Sequence, residues 1–215
     1  MATTDRQMTA DNELPPAPSR PARPVSSDRE FPPTPDRWVL LVLAALTLAV
    51  GAVLAIAGTG PTSIFMTAAG YIAVVGAWLA IVDLRTHRLP DRIIFPSYGV
   101  LAALLAFYVL SGGDVAALWR AGATVALTGL LYAVMNHWGS MGFGDVKLGV
   151  LLGLILGWAG WSAAIAGPIL GFLLAFVVAI ALLTAGKGRS FHIAFGPYLI
   201  GGALIAIAQH LLRAV

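Results

Sequence analysis

Beyond residue 37 the chain carries only four acidic side chains, Asp83, Asp91, Asp114 and Asp145, and two of them stand at the ends of long apolar runs. A carboxylate beside hydrocarbon is costly, so one kept at the edge of a span has a function or a solvated exit. Asp83 opens Asp83-Leu84-Arg85-Thr86-His87-Arg88-Leu89-Pro90-Asp91, and Asp145 stands in Met141-Gly142-Phe143-Gly144-Asp145-Val146-Lys147-Leu148. Two carboxyl groups that share a site resist ionising together: one keeps its proton while the other is free to take a proton from water. The protonated member polarises a carbonyl, so such a pair can hydrolyse a peptide bond without a metal. Rival chemistries are poorly served, since there is no cysteine, no His-Glu-x-x-His string and no Gly-x-Ser-x-Gly elbow. His87, His137, His192 and His210 are scattered, whereas a catalytic metal takes three protein ligands, so neither a metal nor a cofactor is expected. Each aspartate also has a plainer reading when taken singly. Asp145 could cap a helix, Asp83 could be a solvated helix end, and Asp91 and Asp114 read as caps or first-turn residues.

The elements that must position these groups are membrane spans. With 59% hydrophobic and 11% charged residues and a mean hydropathy of +0.86, the chain cannot present a soluble surface. No Asp, Glu, Lys or Arg occurs from Trp38 to Val82, a stretch broken only by Gly58-Thr59-Gly60-Pro61-Thr62-Ser63, so it predicts two helices and a turn. Uncharged runs follow at 93–113, 121–144, 148–186 and 190–212. A span takes about 20 residues, so 148–186 divides into two around a turn between Trp158 and Pro168, and the expected fold is an all-α polytopic bundle of about seven transmembrane helices. Barrel strands would need alternating polarity, which these runs lack. Residues 1–37 hold eight of the thirteen prolines and mixed charge, which predicts a disordered, proline-rich cytosolic tail ahead of a transmembrane domain at 38–215.

Basic residues orient the bundle. Arg37, Arg85, Arg88, Arg92, Lys147, Lys187 and Arg189 fall on one side of the seven-helix arrangement, and only Arg120 and Arg213 fall on the other. The positive-inside rule then puts the N-terminus and both Asp83 and Asp145 at the cytosolic face of a plasma (inner) membrane. The net charge of +3 reflects topology and attraction to membrane lipids. Nucleic acid is not an expected partner, because no basic face with interleaved aromatics exists. Asp145 opens the fifth span, where free backbone N–H groups favour an anion, and Gly142 and Gly144 allow a sharp turn and close approach. Lys147 could hold a carboxylate, tune the pair or snorkel to the interface. Arg85, Arg88 and Arg92 read as lipid-headgroup contacts that fix topology.

Taken together, Asp-x-Arg-x-x-x-Leu-Pro-Asp after one span and Gly-Phe-Gly-Asp-Val-Lys-Leu two spans later resemble the type IV prepilin peptidase family of Gly-x-Gly-Asp membrane aspartyl proteases. The resemblance covers roughly residues 64–212, and Phe195-Gly196-Pro197-Tyr198 is similar to the family's closing motif. It implies an endopeptidase that removes basic leaders from prepilins or pseudopilins at the cytosolic membrane face, in the service of pilus or secretion assembly machinery. Asp83 and Asp145 match the family's two catalytic aspartates; Gly142, Gly144 and Lys147 match the motif around the second, and Arg85 and Pro90 match positions of the first. The larger members also N-methylate the new pilin terminus through a segment with paired cysteines. A chain without cysteine resembles the short, peptidase-only form. Two readings from outside this family remain. A presenilin-like protease shares Gly-x-Gly-Asp but would carry its first aspartate in mid-helix after a Tyr, where Val82 stands here. A transporter or assembly scaffold would need no aspartate pair, but would carry more polar groups within its spans.

Overall fold

A computed structural model describes Thr47 and residues 60–139, 141–184 and 194–214, and every regular element among them is an α-helix. In chain order these are α1 (Pro61–Thr86), α2 (Asp91–Leu110), α3 (Ala116–His137), α4 (Phe143–Ala159), α5 (Trp161–Thr184) and α6 (Gly196–Ala214). Four of them, α1, α2, α3 and α5, are long and apolar enough to cross a membrane. The protein is a helical membrane bundle. The count of about seven spans is not reached among the described residues, which hold six helices. The first expected span, from Trp38, and the expected tail at 1–37 lie outside those residues.

Local chemistry sets the helix ends. Pro61 opens α1, where its missing N–H costs nothing, and the helix closes at His87, which adopts left-handed backbone with φ 49° and donates its N–H to Asp83 O at 2.8 Å. Pro90 stands at the N-cap of α2 in extended conformation, with its carbonyl accepting the Ile93 N–H at 3.1 Å. Two helix boundaries are narrowed. Within the uncharged run 121–144, α3 stops at His137, Gly139 turns the chain at φ 71°, and Asn136 Nδ2 donates to Met141 O at 2.6 Å across the loop. The turn expected between Trp158 and Pro168 is the single residue Gly160, at φ 134°, and Pro168 lies inside α5. One glycine in a conformation other residues avoid is enough to reverse the chain.

Helix α4 is the axis of the bundle, with Leu148, Leu151, Ile155 and Leu156 at most 2% exposed. Along one face, Gly149, Gly153 and Gly157 receive Tyr132, Thr128 and the Arg120–Thr124 turn of α3, so close that a Cβ at any of the three would overlap its neighbour. Small residues at this spacing let backbones pack tightly in lipid, where apolar burial supplies little drive. Gly202 of α6 meets the backbone of Gly167 and Gly171 of α5 in the same way. One end of the bundle is closed by rings: Phe65 packs 5.3 Å from Trp158 and 5.2 Å from His210, and Tyr108 packs 5.2 Å from Trp158. Trp158 is buried among these rings. Asp114 stands near this end as well. Its Oδ1 accepts the Ala116 N–H and its Oδ2 pairs with Arg120, each at 2.9 Å, and these contacts hold its carboxyl below the usual range.

Candidate active site

At the opposite end from the ring cluster, the last turn of α1, the first turn of α4 and the start of α6 come together. Asp83 reaches this end three residues before α1 stops and is 5% exposed. An unpaired carboxylate cannot be buried cheaply. Among the described residues its donor is Gly196 N–H, at the first position of α6, which bonds Asp83 Oδ2 at 3.0 Å. A first-turn N–H has no partner within its own helix, so it is free to serve a distant acceptor. The approach also requires a glycine, because a Cβ at 196 would lie 2.6 Å from Asp83 Oδ2.

Asp145 is the third residue of α4 and is half-buried. Its backbone N–H donates to Gly142 O at 3.0 Å, and its carboxyl in turn takes a bond from the Gly142 backbone N–H. Asp145 thus reaches back to the N-cap residue of its own helix, as a capping residue does, while it also faces Asp83. The charge of Asp83 bears directly on Asp145, so the two carboxyl groups, from helices far apart in sequence, belong to one electrostatic site. Tyr132 completes its wall: this buried ring of α3 lies on Gly149, one turn below Asp145 on the same face of α4, and is itself within reach of the Asp145 charge.

The other expected site residues take distinct places. Gly142 is the N-cap of α4, where a Cβ would stand 3.4 Å from Asp145 Oδ2. Gly144 makes room for Leu89 of the α1–α2 loop, whose Cβ would be 3.3 Å from an added methyl. Pro90 holds that loop at the start of α2. Arg85 is exposed and makes no ion pair among the described residues. Lys147 does not meet either aspartate of the pair. Its Nζ donates to both oxygens of Asp91 at 2.7 and 2.8 Å. Asp91, read from the sequence as a cap or first-turn residue, does lie in the first turn of α2, but its carboxylate is committed to that lysine across the bundle. Gly196 and Tyr132 are the residues that sequence reasoning passed over. The string Phe195-Gly196-Pro197-Tyr198 was visible as a motif, but nothing in it announced that its amide would bond Asp83.

Residues 70–185, which include both aspartates, match the family described as the type IV leader peptidase family. The chain belongs to the type IV leader peptidase family. No curated protein and no solved structure matches it. A type IV leader peptidase is a protease, and here the matched region contains α2, α3 and α4 entire, most of α1 and all of α5, while Gly196 and α6 lie beyond it. The leader peptidase region thus supplies both carboxylates, and the segment after it supplies the amide on Asp83.

Proposed function

We propose that this chain is a multi-pass aspartyl endopeptidase of the plasma membrane that removes the basic leader from prepilin or pseudopilin precursors at the cytosolic face. The observation that carries the reading is that Asp83 and Asp145, on helices far apart in sequence, come close enough for the charge of one to act on the other, while among the described residues neither is spent on an ion pair. Asp91 and Asp114 are both so spent. In the proposed reaction a water lies between the two carboxyl groups. The ionised one takes a proton from the water as its oxygen attacks the scissile carbonyl carbon, and the protonated one donates to the carbonyl oxygen. The resulting tetrahedral diol collapses when the amide nitrogen takes up a proton, breaking the C–N bond and releasing leader carboxylate and new N-terminus. Low local dielectric strengthens each of these interactions. Helices α4 and α6, together with the apolar run from Trp38, complete a seven-span arrangement with the 38–215 region as the peptidase domain and 1–37 as a cytosolic extension.

The direct test is to incubate the purified protein in detergent with a peptide that joins a basic leader to an apolar helix, and to read the products by mass spectrometry. A single cut at the leader junction that persists in excess EDTA is the expected result, because among the described residues no three His, Asp or Glu side chains converge. Loss of cleavage on chelation with recovery on adding zinc would contradict the two-carboxylate mechanism.

Orientation is tested separately. The chain has no cysteine, so single cysteines report without background. Arg88→Cys, in the exposed α1–α2 loop, is expected to react with a membrane-impermeant maleimide only after the cytosolic side is opened, and Val115→Cys, exposed at the other end, in intact cells. The reverse pattern would place the aspartates outside.

A further inference from the structure

Lys147 is an odd residue to find two positions after Asp145, because positions two apart on a helix point about 200° away from each other. Its ammonium therefore leaves the face that carries Asp145. It reaches α2 instead, where it bonds both Asp91 oxygens at 2.7 and 2.8 Å and lies over the ring of Phe95, 5.3 Å from its centroid. Phe143, in its own helix, covers it from another side at 4.9 Å. The same residue is gripped a second time, since Tyr98 Oη donates to the Lys147 carbonyl at 2.6 Å. Asp91, Phe95 and Tyr98 follow one another at helical spacing, so one face of α2 holds residue 147 by side chain and backbone alike.

These contacts close a mechanical circuit. The loop entering α2 starts at His87, whose N–H is bonded to the carbonyl of Asp83, passes Leu89, which rests on Gly144, and ends at Asp91. Asp91 is tied to Lys147, two residues beyond Asp145. We infer that the Asp91–Lys147 pair is a strut that fixes the spacing of Asp83 and Asp145, making both members positioning residues for turnover without contact to the reacting atoms. The inference rests on the two-aspartate reading above.

A partly exposed ion pair contributes little to global stability, so loss of a strut is seen in rate before it is seen in melting. Asp91→Asn and Lys147→Met are each expected to lower kcat about tenfold, with KM and melting temperature near the starting values; the double variant loses no more than either single one, because the two act as one unit. Lys147→Arg, which can still grip a carboxylate and stack on rings, recovers most of the loss. A second readout needs no activity. Spin labels at Arg88→Cys and Trp138→Cys, both exposed, are expected to show a broader distance distribution when Asp91→Asn is added. Full kcat in Asp91→Asn beside a crippled Lys147→Met would mean the ammonium acts alone, and a rise in KM would make it a substrate contact. Either result, or a fall in melting temperature that accounts for the lost rate, or an unchanged distance distribution, overturns the strut. Normal cleavage by Asp145→Asn overturns the two-aspartate reading instead, and leaves the spin-label result to stand or fall by itself.

Discussion

Asp145→Asn is expected to lower leader cleavage about a thousandfold or more, a loss on the order of 4 kcal/mol in the barrier, while the protein inserts and melts as before. Asn has the shape of Asp, and its amide oxygen can still accept from the Gly142 N–H that bonds the Asp145 carboxyl, so the α4 first turn is kept. What it cannot do is take a proton from water or share one with a neighbouring carboxylate. Asp83→Asn is expected to do the same. The double variant is expected to lose no more than either single one, because two groups that carry one proton between them fail together. Asp114→Asn is the matched comparison: Asp114 bonds the start of α3 at the far end of the bundle, and Asn bonds a first-turn N–H about as well, so cleavage and melting temperature should stay near those of the parent. The measurement is kcat and melting temperature for these four variants in one detergent. Activity lost in Asp114→Asn to the same degree, in step with stability, would mean that an ordinary structural acid has been mistaken for a catalytic one.

Gly196→Ala is the second large effect, and it acts through a residue that touches no water or substrate in the proposed reaction. A methyl at 196 would stand 2.6 Å from Asp83 Oδ2 and 3.2 Å from its Cγ. The carboxyl is the free end of a side chain, so it swings away more readily than the backbone of α1 or α6 can part. Swinging away breaks the 3.0 Å bond from the Gly196 N–H and turns the carboxyl out of register with Asp145. A hydrogen bond to a charged group is worth about 1.5–3 kcal/mol, so kcat should fall roughly 10- to 100-fold with little change in melting temperature. Gly201→Ala, on the same helix, is the control, since its added methyl would meet Leu174 Cδ1 at an ordinary 3.4 Å. If Gly196→Ala turns over at the rate of Gly201→Ala, the amide on Asp83 has no part in the reaction.

The two aspartate strings were legible in the sequence because chemistry near hydrocarbon is conspicuous: a chain with four acids after residue 37 has few places to hide a pair. The partners of those strings were not legible. Lys147 and Asp91 lie within the two strings that were read as motifs, but that each answers the other is a fact of tertiary packing between α2 and α4. Gly196 is similar, for a backbone N–H has no identity in the sequence and its acceptor lies across the bundle. Helix ends were bracketed rather than placed, for a local reason. Runs without charge mark where chain can be buried, whereas Gly139 and Gly160 turn the chain through backbone angles that hydropathy does not register.

The stripe of Gly149, Gly153 and Gly157 stands in phase with Asp145, four residues apart at each step, and spans roughly 18 Å from the aspartate to its last member. A helix seated this closely cannot absorb a bulky side chain by yielding locally; it has to slide or tilt as a rod, and Asp145 rides on it. Heritable variation on this face therefore falls unevenly. A replacement at Gly157 is distant from the chemistry yet inherits a cost at the active end. A methyl there would meet the Arg120 carbonyl at 2.7 Å and the Ala121 Cα at 2.8 Å besides the Thr124 hydroxyl, and since two of these are backbone no smaller side chain on α3 makes room for it.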